Sequence, residues 1–336
     1  MDRLKSYLLN NFTKSFATLF IPFFTILSLI YIINISKLSA KITLSSSDFI
    51  AFYLYVLPDI IFATLPLAFI GAIINSISNL TETNEMIAVF ASGYKPKKLI
   101  KYFFPIALLF TLIIGTLGLF ISPYTTQKMQ NFKSQKIYES NLKILPKKLS
   151  QHFGNNHIFI KSNKDGIFQN VTMFRQNSDK SMQLLISKSG FINNNFDKNI
   201  NSYLNLDNGS IYKHKDRSFQ IIDFKNMKIY NSSKFYSKKI LTTKEYWKKN
   251  RKKLYYYILI SISPLLLFIL YIAFGIYNPR YQKNRASIYI LLSVLLIYIP
   301  SIITRKSGSL YLLIATVILW LTISIIVFNK RVAKRF

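Results

Sequence analysis

Cysteine is absent from this chain, and its 336 residues include only 13 acidic side chains against 44 lysines and arginines. Without cysteine there are no disulfides, no thiolate catalysis and no cysteine-ligated metal sites. Three histidines occur, and the close pair His152 and His157 has no acidic neighbour nearer than Asp165. Because a metal site needs several ligands close together, no metal is expected.

Catalytic and nucleotide-binding motifs are also missing. The sequence contains no G-x-x-x-x-G-K-[ST] phosphate loop, no G-x-S-x-G and no H-E-x-x-H. The scattered acidic residues form no pair at an obvious catalytic spacing. We therefore expect a protein that is not an enzyme and binds no cofactor. If it moves a substrate, the energy comes from another subunit.

Long uncharged stretches are what the sequence has in abundance, and each is long enough to span a bilayer as a helix of about 20 residues. They fall in two groups of three, with a polar and basic block between the groups. A basic segment precedes the first stretch, which is too long for a signal peptide and is expected to remain as the first helix. The six stretches are Ser15–Ser36, Phe49–Thr81 (interrupted only by Asp59), Tyr102–Gln127, Leu254–Pro279, Ala286–Thr304 and Ser307–Asn329.

The net charge of +31 is distributed unevenly around these stretches. In a soluble protein it would suggest nucleic acid as a partner. Here the short loops on the side of the N-terminus carry more Lys and Arg than the opposite loops, as cytoplasmic loops do. The sequence therefore predicts both termini in the cytoplasm, the central block outside it, and no nucleic-acid partner.

The central block has the pattern of an all-β domain. A polar helical stretch, Gln127–Leu142, is followed by short alternating segments separated by Asn- and Gly-rich turns, which predicts a sandwich, roll or barrel. Asn208-Gly209 within Leu204–Tyr212 predicts a hairpin. The predicted strands are His157–Lys161, Gly166–Arg175, Met182–Asn193, Ser202–Lys213 and Ser218–Tyr230.

A short amphipathic helix, at about residues 81–93, is predicted between the second and third spans. Thr81 or Thr83 is a suitable N-cap, Gly93 is a suitable end, and Lys95-Pro96 restarts the chain. The helix would lie on the cytoplasmic side, either in the lipid interface or docked on a soluble partner.

The side chains of this short helix favour the soluble partner. Met86, Val89 and Phe90 form one apolar stripe at positions i, i+3 and i+4. Glu82 and Glu85 lie near the positive end of the helix dipole. Two carboxylates disfavour simple adsorption to an anionic leaflet.

Charged residues near the other membrane boundary are candidate substrate contacts. Asp59, beside Pro58, lies inside a predicted span, where a carboxylate is a functional candidate; a helix-entry role at the interface is the favoured alternative. Basic residues of the two outside loops are predicted to form a collar at a lateral gate, and ordinary headgroup contact explains them equally well. These residues are Lys37, Lys41, Arg305 and Lys306.

The whole pattern resembles the LptF/LptG family of permeases, the membrane half of the lipopolysaccharide-exporting ABC transporter. The coupling segment is the most specific match, with Glu85 at the family's glutamate and Gly93 at its helix-ending glycine. The G-type member carries a lysine in the first helix, where this chain has Asn34. The matching stretches are Asn84–Leu99, Ser122-Pro123, Tyr203–Tyr212 and Phe219–Phe224.

The resemblance implies six transmembrane helices with an all-β, jellyroll-like periplasmic domain between helices 3 and 4. The expected divisions are residues 1–126, 127–250 and 251–336. It implies an inner-membrane permease that extracts lipopolysaccharide and passes it to a periplasmic bridge. The implied partners are a cytoplasmic LptB-like ATPase dimer, a second LptF/LptG-type permease and LptC/LptA-like jellyroll proteins. A membrane-anchored sensor or scaffold is the alternative, and a polytopic membrane enzyme is disfavoured by the missing carboxylate pairs.

Overall fold

The computed structural model describes residues 2–39, 44–142, 145–148, 151–153, 156–164, 166–176, 181–193, 203–215, 218–230 and 239–333. The chain divides into two compact units. The first, here called the membrane unit, comprises residues 1–36, 47–129 and 240–336. The second, here called the β unit, comprises residues 37–46 and 130–239.

The described helices are named in chain order. A π-helical turn at Leu117–Ile121 joins α4 to α5, and a second at Asn329–Ala333 continues α9. The helices are α1 Asp2–Ser39, α2 Ser46–Glu82, α3 Glu85–Ala91, α4 Lys97–Thr116, α5 Ser122–Leu142, α6 Thr243–Lys249, α7 Arg251–Gly275, α8 Ala286–Ser307 and α9 Leu310–Phe328.

Six helical segments among the described residues are long and apolar enough to cross a membrane, which confirms the number of spans predicted from the sequence. The third segment is continuous through α4, the π-helical turn and much of α5. The segments are Arg3–Ser39, Ser46–Glu82, Lys97–Ile137, Arg251–Gly275, Ala286–Ser307 and Leu310–Val332.

Helices α2 and α7 form the centre of the membrane unit. Both are apolar on all sides and largely buried, as expected of helices surrounded by other helices. Helix α7 packs against α4, α8 and α9. At its end, Gly275 meets Ile77 of α2, and Thr81 Oγ1 donates a hydrogen bond to the Gly275 carbonyl at 3.1 Å. Small residues allow such close helix approach in membranes.

Helix α1 joins this core through a row of phenylalanines spaced four residues apart, which places them on one face. Phe12, Phe16 and Phe20 stack along α1, with ring centroids 6.2 and 5.3 Å apart. Phe12 meets Phe69 of α2 edge-to-face at 6.1 Å, and Phe16 meets Phe110 of α4 at 5.2 Å. Aromatic contacts therefore position α1 against α2 and α4.

The β unit contains one antiparallel sheet whose six described strands follow each other in sequence order. This confirms the predicted all-β domain between the third and fourth spans. Alternate residues bury one apolar face, including Ile158, Ile160, Val171 and Leu204. The strands are β1 Gln151–Phe153, β2 Asn156–Lys164, β3 Ile167–Gln176, β4 Met182–Asn193, β5 Tyr203–Lys215 and β6 Ser218–Tyr230.

The predicted hairpin at Asn208-Gly209 is wrong. Asn208 has a φ of 51° but lies inside the continuous strand β5. The pairing register with β4 is the same on both sides, since Asp207 faces Ser189 and Gly209 faces Ser187. A side chain at Gly209 would collide with the Ile186 carbonyl of β4. The Asn-Gly pair therefore lies inside a continuous strand that is paired on both edges, where the sequence suggested a turn.

Helix α6 was not predicted from the sequence, although a signal for it exists. Thr242 Oγ1 accepts from the Glu245 amide at 3.4 Å, and the Glu245 carboxylate accepts from the Thr242 amide at 3.1 Å. This reciprocal capping box has the T-x-x-E spacing. The buried Trp247 donates from Nε1 to the Leu119 carbonyl at 2.8 Å. The helix is thereby attached to the π-helical turn of the third span.

Candidate functional site

The short helix α3 lies between the second and third spans, but its start differs from the predicted cap. Helix α2 continues to Glu82, and Asn84, with a φ of 62°, precedes the first residue of α3 without a side-chain cap. The Thr81 hydroxyl donates to the Ile77 and Gly275 carbonyls. It is buried against α7, so it cannot cap α3. Thr83 does not cap it either.

Gly93 ends α3 as the sequence predicts. Its φ is +87°, its amide donates to the Phe90 carbonyl at 3.0 Å, and the Tyr94 amide donates to the Val89 carbonyl at 3.3 Å. These two bonds form a Schellman motif, in which a glycine takes the left-handed position. The segment therefore has a defined end before α4.

We expect Gly93→Ala to loosen α3 without any steric clash. No atom lies within 4 Å of an added Cβ, so the penalty is the backbone strain of a positive φ, about 1 kcal/mol. Amide hydrogen exchange in α3 should rise about fivefold. Gly93→Asn is the control, because asparagine tolerates this conformation better. Equal exchange in Gly93→Ala and the parent protein would contradict the prediction.

Glu85 is held at the first turn of α3 by two hydrogen bonds. Tyr7 Oη of α1 donates to Glu85 Oε2 at 2.6 Å, and Thr83 Oγ1 donates to Oε1 at 3.0 Å. The Glu85 residue as a whole is half-buried, and both of these hydrogen bonds are exposed. It therefore has a fixed direction at the surface, beside the positive end of the helix.

Glu82 has a different role in the same segment. Its Oε2 accepts from Asn284 Nδ2 at 2.8 Å, and Asn284 Oδ1 accepts from Ser78 Oγ and from the Ala286 amide. Glu82 thus links the end of α2 to the start of α8. The Glu82 carboxylate takes no part in the two hydrogen bonds that hold Glu85.

The apolar stripe of α3 packs inside the chain. Met86 is only 2% exposed, and Met86 and Val89 line a cavity of about 20 Å³ together with residues of α1, such as Tyr7 and Leu8. Phe90 is partly buried against the same core. These three side chains position the helix, and the residues that face outward, Ala88 and Ala91, are small and exposed.

The segment after α3 is basic, so charge changes sign along this surface. Lys95, Lys97 and Lys98 are exposed, and Lys98 Nζ lies 5.4 Å from the centre of the Tyr94 ring. Burial raises the pKa of the Tyr94 hydroxyl, which therefore stays neutral at physiological pH. A docking partner would meet a carboxylate at one end of α3 and lysines at the other.

The predicted basic collar lies only partly within the described residues. Lys37 is exposed in the last turn of α1, and Arg305 and Lys306 are exposed in the last turn of α8. The Arg305 guanidinium lies 5.6 Å from the centre of the Tyr256 ring, which orients it. Lys41 lies outside the described residues.

Asp59 connects two helices within the membrane unit. Its carboxylate accepts a hydrogen bond from Ser122 Oγ, at the junction of the π-helical turn and α5. Ser122 Oγ also lies 3.2 Å from Tyr257 Oη of α7. The position marked by Ser122-Pro123 in the sequence is therefore the point where α2, the third span and α7 share polar contacts.

The chain is similar to a known protein family. No curated protein matches the sequence. The family model for "Lipopolysaccharide export system permease LptF/LptG" matches residues 6–329, which is nearly the whole chain and includes α3 and the β unit. The chain therefore belongs to the LptF/LptG family and is a multi-pass inner-membrane permease of lipopolysaccharide export, not itself an enzyme.

Proposed function

We propose that this chain is one permease subunit of an ABC transporter that extracts lipopolysaccharide from the inner membrane and passes it to a periplasmic bridge. Since the sequence has no phosphate loop, ATP hydrolysis takes place in a cytoplasmic LptB-like ATPase dimer. A second LptF/LptG-type permease completes the membrane part. The termini and α3 face the cytoplasm, and residues 127–250 form the periplasmic domain.

The observation that carries this proposal is the surface presented by α3. Glu85 is oriented by Tyr7 and Thr83, and the outward Ala88 and Ala91 leave room for a close contact. The buried Met86 holds the helix against α1, so a displacement of α3 by the ATPase would be transmitted to the spans. The position and length of this coupling surface are set by Glu82, Val89, Phe90 and Gly93. Glu85 makes the polar contact with the ATPase.

The charge and polarity of the chain support a lipopolysaccharide route. Lys37, Lys41, Arg305 and Lys306 provide cations for a phosphorylated glycolipid at a lateral gate. In the β unit, the buried apolar face suits acyl chains. Strand β6 pairs on one side only among the described strands and exposes Phe219. Such an edge accepts a further strand from an LptC/LptA-like jellyroll protein.

The decisive experiment is purification of the detergent-solubilised complex from native membranes, followed by reconstitution into vesicles containing lipopolysaccharide. We expect two ATPase copies and a second permease to co-purify, and ATP to drive lipopolysaccharide release to an added periplasmic acceptor. A chain that purifies without an ATPase, and forms a complex with a signalling protein, would overturn the proposal in favour of a sensor or scaffold.

A further inference from the structure

A groove of about 360 Å³ opens on the membrane unit between α4 and α9, within the size range of small-molecule sites. One wall is the α4 stripe Lys97, Ile100, Lys101 and Phe104, spaced i, i+3, i+4 and i+7 on a single helix face. Helix α7, which packs against both α4 and α9, contributes Ile269. The groove is therefore built from three spans of one chain.

The polarity of the groove changes along its length. Lys97 and Asn329 lie at the end where α4 begins and α9 finishes, while Phe104 and Ile325 lie further along the same helices. Seven residues of helix cover roughly 10 Å, about two thirds of one leaflet of a hydrocarbon core that is about 30 Å thick. The groove thus has a cationic end and an apolar channel, as a lipid with a charged headgroup requires.

The two lysines are available to such a headgroup. Both are exposed, and neither has an ion-pair partner among the described residues. Two neighbouring cations are already engaged with rings, since Lys98 lies over Tyr94 and Arg331 lies over Tyr289 at 4.7 Å. Lys97 and Lys101 therefore present unneutralised charge at the end of an apolar channel.

We propose that this groove is a binding site for an anionic phospholipid. The phosphate and the negatively charged headgroup lie between Lys97 and Lys101, and one acyl chain lies against Phe104, Ile269 and Ile325. This inference rests on the membrane unit alone and is independent of the route taken by the transported substrate. Charge complementarity favours an anionic lipid over the apolar helix of another protein, which would leave both lysines without a counter-ion.

The test uses the full chain carrying Phe104→Trp, since Phe104 is 48% exposed and a larger ring is accommodated there. Quenching of the new tryptophan by brominated phosphatidylglycerol is compared with quenching by brominated phosphatidylcholine, after subtraction of the parent signal from Trp247 and Trp320. We expect roughly thirtyfold tighter binding of phosphatidylglycerol, since each of the two lysines contributes about 1 kcal/mol near a phospholipid surface.

A charge-matched pair of variants separates the groove from general surface attraction. Lys97→Gln with Lys101→Gln should abolish the preference, whereas Lys95→Gln with Lys98→Gln, which removes the same charge from residues that do not line the groove, should retain it. The proposal would be overturned if both double variants lost the preference for phosphatidylglycerol equally, or if both lipids quenched equally. It would also be overturned if neither lipid quenched, which would indicate that a protein helix covers the groove. If Phe104→Trp fails to fold, native mass spectrometry of the parent chain and of the two double variants, counting retained phosphatidylglycerol, gives the same comparison.

Discussion

Glu85→Arg is expected to abolish coupling to the ATPase while leaving the membrane unit folded. The substitution places a cation where the structure holds a carboxylate at the start of α3, on the surface proposed to meet the ATPase. Reversal of a charge that is paired across an interface costs about 2 kcal/mol or more, because the partner charge is left desolvated without its counter-ion. We expect ATP-driven lipopolysaccharide release from vesicles to fall at least tenfold, with less ATPase retained on purification.

Tyr7→Phe is the matched control for this result. It removes the 2.6 Å hydrogen bond from Tyr7 Oη to Glu85 but leaves the carboxylate in place. If Glu85 acts by contacting the ATPase, Tyr7→Phe should retain most of the transport activity. Equal losses in Tyr7→Phe and Glu85→Arg would show that the contact between α1 and α3 is what matters. Unchanged assembly and release in Glu85→Arg would contradict the coupling assignment altogether.

The spans could be predicted from the sequence because each one carries its own signal. A run of about 20 apolar residues is sufficient to identify a bilayer-crossing helix, whatever surrounds it. The alternation of β2 to β6 is similarly local, since one face of each strand is apolar and packs in the core of the β unit. This local signal gives the positions of the spans but not how the spans pack against each other. The close approach of Gly275 to Ile77 depends on two helices far apart in sequence.

The wrong prediction of a hairpin at Asn208-Gly209 has a related cause. Asn-Gly favours a positive φ, a conformation typical of hairpin turns, but in this protein it occurs inside a strand. Here Asn208 does have a positive φ, but β5 pairs with β4 on one side and β6 on the other, through residues flanking Asn208. Pairing with β4 and β6 decides between a turn and a continuous strand, and the Asn-Gly dipeptide carries no information about those partner strands.

In the candidate site, the sequence indicated the helix but not which way its faces point. Met86, Val89 and Phe90 form the same stripe whether the helix packs on its own chain or on a partner. The structure resolves this through α1, whose Tyr7 lies 78 positions before Glu85 and contacts it directly. The direction of an amphipathic face is therefore a tertiary property. The exposed alanines of α3 carry no sequence signal of their own.

Gly275→Val is expected to destabilise the membrane unit strongly, because it adds bulk where its two central helices meet. A Cβ at Gly275 would lie 2.7 Å from Ile77 Cβ and 3.1 Å from the Ile74 carbonyl oxygen, so backbone and not only flexible side chains must move. Overpacking a core costs about 1–3 kcal/mol. The shift would also disturb the hydrogen bond from Thr81 to the Gly275 carbonyl, directly before α3. We expect a lower unfolding temperature in detergent and poor recovery of monodisperse protein.

Gly115 provides the matched control, since it is also a glycine inside a spanning helix. A Cβ there would meet only Ser261 Cβ at 3.9 Å, which is ordinary contact. Gly115→Ala should therefore leave the unfolding temperature unchanged or raise it slightly, because alanine favours a helix over glycine by roughly 0.5–1 kcal/mol. Gly275→Ala also adds one methyl group to a helix, but it should lower the unfolding temperature. The same unfolding temperature in the two alanine variants would show that α2 and α7 separate without penalty, and that their close contact at Gly275 does not hold the membrane unit together.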